Sequence, residues 1–268
     1  MHIDEIKEKI SSINQQMVDL AQKRFDQLIK PVGSLAKLEL MVSRYAGIIG
    51  KHRKQDVNYP KCSLLVWGSF GEAQEIGQIM EGKRPVNILA ATTDSGVDSL
   101  LVTADTLEEA LSEGADLVQE LIQSKGLGMV GFGSLAAADD ELVIEAMAGG
   151  ILQAAALKVP IMLDGLATCR AALRATELVP WVREYCFAGH LTLEEGAKEA
   201  LEALDLSAPL KLNLATGVGE GAAVAFTLFR AGIKAYKEME TFEEAGVHAE
   251  VKDYSRKEEM QGAHWQQL

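Results

Sequence analysis

Apolar positions follow a helical spacing in the first fifth of the chain. Between residues 4 and 30 they recur every three to four positions, and Pro31 and Gly33 then interrupt the pattern. Such a spacing predicts one amphipathic helix over this stretch, and a second helix is expected from Leu35 to Ile49. The apolar positions of the first helix include Ile6, Ile10, Ile13, Met17 and Leu20.

From residue 60 onward, short apolar runs alternate with helical patterns. Short continuous apolar runs are typical of strands buried on both faces, and their alternation with helices predicts a doubly wound parallel sheet. We therefore expect an α/β fold with about six strands, helices on both faces, and the N-terminal helix beside the C-terminal one. The runs are CSLLVW from 62, VDSLLVT from 97, LGMVG from 127, PIMLDG from 160, YCFAG from 185 and LKLNLA from 210.

Three helix starts have the form of a capping box, in which a threonine and a glutamate three residues later bond each other's backbone N–H groups. These glutamates have a structural task, so we assign them no catalytic role. The polar segment after Val247 lacks sustained periodicity and is expected to be a peripheral arm. The boxes pair Thr106 with Glu109, Thr192 with Glu195, and Thr241 with Glu244.

Charge and cysteine usage narrow the class of protein. The net charge of −13 disfavours nucleic acid or an anionic membrane as the main partner, because either needs a basic surface, so an anionic substrate would have to be held locally. Cys62, Cys169 and Cys186 lie far apart without metal-ligand spacing and are expected to be reduced and buried in a cytoplasmic protein. We expect no signal peptide at MHIDEIKEKI and no membrane span.

Small and polar residues follow the predicted strands. In an open parallel sheet these positions share the carboxyl edge, where ligands bind. The expected binding residues there are Gly131, Gly133, Ser134, Asp164, Gly165 and His190.

Three of these positions have alternative interpretations. GMVGFGS, from 128, either cradles a phosphate with its N–H groups or forms tight turns. Asp164 either binds a ribose hydroxyl or caps the next helix. His190 either bonds a ligand or satisfies a loop carbonyl.

The segment GVGEGAAVAF, from 217, places one carboxylate between two glycines at the start of an apolar helix. Glu220 either complements the helix dipole or works on a ligand that Gly219 and Gly221 allow to approach the backbone.

Four ordered segments resemble the nicotinate-nucleotide:dimethylbenzimidazole phosphoribosyltransferases of the CobT family. RFDQLIKPVGSLAKLE, from 24, is similar to the family's K-P-P-G-S-L-G-R-L-E signature. MAGGILQAAALKVPIMLDG, from 147, resembles the segment leading into its V-L-D-G strand. AGHLTLEEG, from 188, is similar to S-H-x-S-x-E-x-G, and EMETFEEAGV, from 238, resembles E-M-A-T-F-x-x-A-G-V.

The resemblance implies a Rossmann-like domain over residues 59–225 and a small lobe built from 1–58 and 226–268. It also implies a homodimer that acts in cobamide lower-ligand activation without a metal or redox cofactor. Family members transfer phosphoribosyl from nicotinate mononucleotide to an aromatic base, releasing nicotinate and giving an α-riboside phosphate.

The resemblance also assigns roles to single residues. Glu220 holds the place of the general base that removes the azole N–H proton, and the pKa of a carboxyl among apolar residues and glycines is raised toward neutral pH. Lys30 and Ser34 lie in the KPxGSL signature, where a structural or phosphate-neighbouring role is expected.

Several family features differ in this chain. The base-contacting loop after the first strand is missing, Met129 and Leu135 replace polar positions, a loop with a phosphate-directed lysine is cut to AADDEL, and an arginine is replaced by Gly217. These differences keep a second function open, that of a noncatalytic homologue. Such a homologue either binds a nucleotide or riboside or is a partner subunit in a heterodimer. A nicotinamide dehydrogenase is disfavoured because no glycine fingerprint opens the first βα turn.

Overall fold

The computed structural model describes residues 3–247, and these form two compact units. The α/β unit contains residues 3–12 and 60–227, and the helical unit contains residues 13–59 and 228–247. Residues up to Ser12 therefore belong with the sheet, whereas the sequence analysis placed them in the helical lobe. Ile6 is fully buried there, and the Tyr185 hydroxyl donates to the Ser11 carbonyl at 2.9 Å. The proposed peripheral arm after Val247 lies outside the described residues.

The sheet of the α/β unit is parallel throughout, as predicted, but it has five strands in the order β2-β1-β3-β4-β5. The chain adds strands in one direction from β1 to β2 and in the other from β3 to β5, so the switch point lies between β1 and β3. The strands are β1 (Cys62–Gly68), β2 (Gly96–Leu101), β3 (Met129–Ser134), β4 (Ile161–Asp164) and β5 (Cys186–His190).

The expected sixth strand at 210–215 is wrong. Only one bridge joins this segment to the sheet, between His190 and Leu210, and residues 211–213 are exposed. Asn213 has a φ of 57°, a left-handed conformation that a continuous strand does not allow. The segment is a connection that follows the edge of the sheet. The expectation of burial on both faces also fails for β2, which is an edge strand and is mostly half-exposed.

Helices cover both faces of the sheet. Successive residues of a strand point to opposite faces, and in β3 a side chain at Gly131 would meet Ala222 and Phe226, whereas the ring of Phe132 lies against Gly150. The helices of this unit are α1 (Ile3–Lys9), α4 (Ala73–Met80), α5 (Pro85–Ala91), α6 (Leu107–Lys125), α7 (Glu141–Ala156), α8 (Leu166–Leu178), α9 (Ala197–Ala203) and the first part of α10 (Glu220–Glu238).

The helical unit contains α2 (Gln15–Gln27), α3 (Lys37–Ile49) and the rest of α10. The single helix expected over 4–30 is therefore two helices, because Asn14 interrupts it. The Asn14 side chain accepts from Met17 N at 3.2 Å, which caps α2, and its backbone N–H donates to Gly47 O. The predicted pairing of the N-terminal and C-terminal helices is seen for α2, whose Phe25 ring lies 5.1 Å from that of Tyr236 in α10.

One of the three predicted capping boxes is complete. Thr241 N donates to Glu244 Oε2 and Glu244 N donates to Thr241 Oγ1, but this box stabilises a turn rather than a helix. At the start of α6, Thr106 Oγ1 accepts from Glu109 N, whereas the Glu109 carboxylate accepts from the Thr106 hydroxyl and not from its backbone N–H. Among the described residues, no helix is long and apolar enough to cross a membrane.

Candidate active site

A segment of six residues, Thr216–Gly221, includes the first two residues of α10 and lies against the carboxyl ends of β3, β4 and β5. We call it the glycine loop. Ser134 N, at the end of β3, donates to Gly217 O at 2.8 Å, which fixes the loop to the sheet edge. The structure thus brings most of the sequence-predicted site residues together in the α/β unit.

The glycines of this region serve close packing. A Cβ atom at Gly133 would lie 2.2 Å from the carbonyl carbon of Val218, and one at Gly165 would lie 2.4 Å from the Cα atom of Gly217. Both alternatives for GMVGFGS are therefore wrong, because Gly131 and Gly133 lie within a strand and accommodate α10 and the glycine loop. Gly165 also has a φ of 86°, which favours glycine.

Asp164, the last residue of β4, holds the glycine loop in place. Its side chain is fully buried, and Oδ2 accepts from Gly219 N at 3.1 Å and Gly221 N at 2.9 Å. These two amides flank Glu220 and lie at the positive end of the α10 dipole. Asp164 therefore caps α10, and not the next helix, α8, whose N-cap Gly165 has no side chain.

The pKa of the Asp164 carboxyl lies well above the usual range for an aspartate. Burial raises its pKa, the hydrogen bonds from Gly221 and Gly219 oppose this, and the negative charges of Glu220 and Glu194 raise it further, to about 7. Its second oxygen, Oδ1, is buried and has no hydrogen-bond partner among residues 3–247.

His190, at the end of the neighbouring strand β5, is buried beside this carboxyl. A Cβ atom at Gly221 would lie 2.3 Å from Asp164 Oδ1 and 2.4 Å from His190 Cβ, so the two side chains approach the same point. His190 Nε2 accepts from Leu212 N at 2.8 Å, a loop N–H and not the loop carbonyl expected. Burial lowers the pKa of His190, so the neutral ring carries its proton on Nδ1, which has no partner in the described part of the chain.

Glu194 is a residue of this site that the sequence analysis missed. The expected capping box of Thr192 with Glu195 is wrong, because Thr192 Oγ1 donates to Glu194 Oε2 at 2.8 Å and α9 begins only at Ala197. Glu194 Oε2 also accepts from Leu166 N at 2.8 Å, at the first turn of α8. The first N–H groups of α8 need a hydrogen-bond acceptor, and its N-cap, Gly165, has no side chain to supply one. This lack indicates that a side chain from elsewhere in the sequence caps α8.

Glu220 is the first residue of α10 and is half-buried. Its Oε2 lies 3.4 Å from Thr216 Oγ1, the longest of the hydrogen bonds described in this site. Asp164, Glu194 and Glu220 make no salt bridge within residues 3–247. These three carboxyl groups therefore make the site negative in character. The Glu220 carboxylate, with only one long hydrogen bond among the described residues, is suited to accepting a proton.

Lys30 and Ser34 belong to the helical unit. Lys30 Nζ lies 2.7 Å from Glu39 Oε1, and both side chains are almost fully buried. Leu35 N donates to the same oxygen at 3.0 Å, so Glu39 fixes the signature turn. Ser34 is exposed, and its N–H donates to Pro31 O. The geometry favours the structural role for Lys30.

Of the two replaced polar positions, only one lies at the carboxyl edge. Met129 begins β3 at the opposite end and is fully buried, whereas Leu135 directly follows the strand. Within residues 3–247 no group of three or more His, Cys, Asp and Glu side chains is arranged to hold a metal ion.

A solved protein has the same fold, and most of this chain superposes on it. The solved nicotinate-nucleotide-dimethylbenzimidazole phosphoribosyltransferase from Thermus thermophilus superposes with a TM-score of 0.77 at 23% identity, covering 88% of this chain and 100% of that one. At this identity the likeness shows the fold.

Curated nicotinate-nucleotide–dimethylbenzimidazole phosphoribosyltransferases also match. The protein from Ruminiclostridium cellulolyticum is 25% identical over 346 residues, covering 92% of this chain and 98% of the relative. That span exceeds the 268 residues of this chain, so the relative has residues without a counterpart here. The protein from Geotalea uraniireducens is 47% identical over 106 residues, which cover 40% of this chain and 30% of the relative.

The family model described as phosphoribosyltransferase matches residues 10–100 and 140–247, which is well over half of the chain. The unmatched stretch, 101–139, contains β3 and the first three residues of the shortened AADDEL segment, which runs from 137 to 142. The glycine loop, Asp164, His190 and Glu220 all lie in the matched part. This chain belongs to the phosphoribosyltransferase family.

Proposed function

We propose that this protein transfers the phosphoribosyl group of nicotinate mononucleotide to an aromatic base in cobamide lower-ligand activation. The observation that carries the proposal is the placement of Glu220. Asp164 accepts hydrogen bonds from the N–H groups of Gly219 and Gly221, the residues on either side of Glu220. This buried pair of hydrogen bonds, which we call the Asp164 clamp, holds the Glu220 carboxylate at the carboxyl edge of the sheet. Family membership over most of the chain supports the reaction class.

The proposed reaction balances with one proton acceptor. A ring nitrogen of the base attacks C1 of the ribose, the bond from C1 to the nicotinate nitrogen breaks, and nicotinate leaves with that electron pair. The N–H proton of the attacking ring passes to the Glu220 carboxylate. A positioned base of this kind contributes roughly 10²- to 10⁴-fold to such a rate.

The glycine loop sets a condition on where the nucleotide phosphate binds. A helix N-terminus commonly binds phosphate through its N–H groups, but here Gly219 N and Gly221 N are bonded to Asp164. The substrate phosphate must therefore be held by other groups of the site.

A second function is favoured by the loss of phosphate and base contacts. Asp164 occupies the N–H groups of Gly219 and Gly221, and both the base-contacting loop after β1 and the loop cut to AADDEL are trimmed relative to the family. These features support a noncatalytic homologue that binds a nucleotide or riboside or completes a partner subunit.

One experiment separates the two functions. The purified protein is incubated with nicotinate mononucleotide and single members of a panel of benzimidazoles, purines and phenols, and riboside phosphate is sought by mass spectrometry. Product together with stoichiometric nicotinate supports the transferase. No product with any base, but saturable binding of the mononucleotide, supports the noncatalytic function.

The assembly and location are part of this proposal. We infer a cytoplasmic homodimer, and a heterodimer with a homologue is the alternative that accompanies the noncatalytic function. Cys62, Cys169 and Cys186 are buried and form no disulfide within residues 3–247, which is compatible with a reducing compartment.

A further inference from the structure

The helical unit differs in charge from the rest of the chain. Its described residues contain eleven Lys and Arg against eight Asp and Glu, whereas the whole chain carries a net charge of −13. A local excess of positive charge in an acidic protein indicates a surface where anions are favoured.

Most of this excess converges on one surface cleft of about 440 Å³. Residues of α2, of the segment after α3 and of the turn at 241–246 line it. Among the described lining residues, with histidine neutral, the ionised side chains add up to three positive charges. They are Lys23, Arg24, Arg53 and Lys54 with one carboxylate, Glu244, and His52 also lines the cleft.

Arg24 is held in a fixed orientation in the cleft. Its Nε donates to Tyr236 O at 3.0 Å, and Nη2 donates to Met239 O at 3.2 Å. The guanidinium carbon lies 5.5 Å from the centre of the Tyr236 ring. A guanidinium that is already ordered, and charged at every accessible pH, loses little entropy when it binds an anion.

Glu244 demonstrates that this surface stabilises negative charge. Its Oε1 accepts from Lys54 Nζ at 2.6 Å, and its Oε2 accepts from Thr241 N at 2.9 Å and lies 3.6 Å from Arg24. The hydrogen bond from Lys54, the Thr241 amide and the charge of Arg24 lower the pKa of Glu244 to about 2.

Within the part of the chain that the structure describes, Lys23 and Arg53 have no counterion. Both are exposed, and neither side chain makes a hydrogen bond or ion pair within residues 3–247. Two unneutralised cations beside an ordered guanidinium repel one another unless an anion lies between them.

We propose that this cleft binds a small molecule with two or more linked phosphate groups, such as a nucleoside diphosphate. Four cations exceed what the one carboxylate among the described lining residues neutralises, and phosphate oxygens match the geometry of arginine N–H groups. The volume lies in the range of small-molecule sites. This site is independent of Glu220 and of the proposed transfer reaction.

The proposal is tested on the full chain by isothermal titration with ADP, inorganic pyrophosphate and adenosine at low ionic strength. We expect one ADP per chain, binding by pyrophosphate as well, no binding by adenosine, and a steep loss of affinity with added salt. The double variant Lys23→Ala/Arg53→Ala is expected to weaken ADP binding by about tenfold for each cation removed.

A matched control removes the same charge elsewhere. Lys198→Ala/Lys234→Ala deletes two exposed lysines that lie outside the cleft, each in an i,i+4 pair on its helix. This variant is expected to bind ADP within about twofold of the parent when both are titrated at about 0.15 M salt, because exposed charges outside the cleft are then screened. Circular dichroism establishes that both variants are folded.

Three results would overturn the proposal. One is the absence of ADP and pyrophosphate binding to the parent. Another is binding that survives in Lys23→Ala/Arg53→Ala, which places the ligand elsewhere, for example at the sheet edge. The last is an equal loss in both double variants, which indicates only a response to net charge.

Discussion

Asp164 shows how one buried carboxyl shapes the site. Its Oδ2 fixes the two amides that flank Glu220, while burial and nearby carboxylates raise its pKa from 3.8 to about 7. A raised pKa means that the folded state binds the proton more tightly than the unfolded state does. Near neutral pH this group titrates, and its charge state then affects both the clamp and its acidic neighbours.

The raised pKa predicts how stability depends on pH. Between about pH 4 and pH 7 the folded state holds the Asp164 proton and the unfolded state does not, so this group lowers the free energy of unfolding as pH rises. The full effect is at most about 4 kcal/mol. In Asp164→Asn, which cannot ionise, this part of the pH dependence is expected to disappear.

Urea denaturation at several pH values measures this difference. The parent and Asp164→Asn are compared between pH 4 and pH 8, and their difference in unfolding free energy isolates the one group. A difference that stays constant over that range would contradict the assignment of the raised pKa to Asp164.

Residue-level prediction from the sequence was uneven for a physical reason. Glu220 and Asp164 could be chosen because they stand next to glycines at the end of a strand or the start of a helix. Their partnership could not be predicted, because the contact between residue 164 and residues 219 and 221 arises only when the sheet and α10 meet. The capping role of Glu194 was hidden for the same reason.

At the scale of elements, two glycines allow α6 and α7 to pack closely. A Cβ atom at Gly114 would lie 1.7 Å from Ala146 O, and one at Gly149 would lie 1.9 Å from Leu111 O. The clashing atoms are backbone, so neither helix can relieve the contact by a side-chain rotation. The separation of these helices therefore depends on glycine.

Replacement of a glycine by alanine is expected to have opposite effects on the free energy of unfolding in α6 and in α4. Gly114→Ala is expected to lower the free energy of unfolding by about 3 kcal/mol or more, as overpacking does. Gly77→Ala in α4, where an added Cβ meets nothing within 4 Å, is expected to raise it by up to about 1 kcal/mol. Thermal and urea denaturation check both, and equal effects would show that the α6–α7 contact is looser than described.

The turn before α3 carries backbone strain. Ala36, its N-cap, has φ 43° and ψ −114°, a conformation that glycine adopts more easily. Ala36→Gly is expected to stabilise the protein by about 1 kcal/mol, because strain relief exceeds the entropy gained by the unfolded chain.

The control for this turn lies inside a regular helix. Ala235→Gly in α10 is expected to destabilise by about 1 kcal/mol. Stabilities are compared by urea denaturation, and destabilisation by both substitutions would contradict the strain at Ala36.

Elements were predicted best where periodicity was unambiguous. The five strands found all overlap apolar runs that the sequence identified, and the buried ones need no alternation of polar residues. LKLNLA was misassigned because its alternation of leucine with polar residues fits a half-buried strand, although Asn213 turns the backbone. The break between α1 and α2 was missed because Ile10 and Ile13 preserve the helical spacing across it.

At the scale of the whole molecule, the proposed homodimer makes a direct prediction. Light scattering at micromolar concentration is expected to give about 58 kDa, twice the mass of the 29.0 kDa chain. A value near one chain would contradict the homodimer. A mixed complex formed only with a full-length homologue would support the partner-subunit function.

The whole-molecule architecture could be predicted further than the chemistry. Alternating strands and helices specify a doubly wound sheet, and four ordered motifs indicate the family that the comparisons establish. The substrate pocket could not be predicted, because the segments that differ from the family are loops, which carry no hydrophobic periodicity from which a conformation could be inferred.

The central claim is that Glu220 accepts the proton released in phosphoribosyl transfer. The most direct measurement compares the parent with Glu220→Gln by quantifying riboside phosphate formed from nicotinate mononucleotide and the base that the parent uses. Glutamine keeps the size of the side chain but cannot take the proton, so the rate is expected to fall roughly 10²- to 10⁴-fold with the fold intact.

Lys30→Ala, the control in the helical unit, is expected to reduce stability more than the chemical step, because it leaves buried Glu39 without its cation. A Glu220→Gln rate equal to that of the parent, or no product from the parent with any base, would contradict the account.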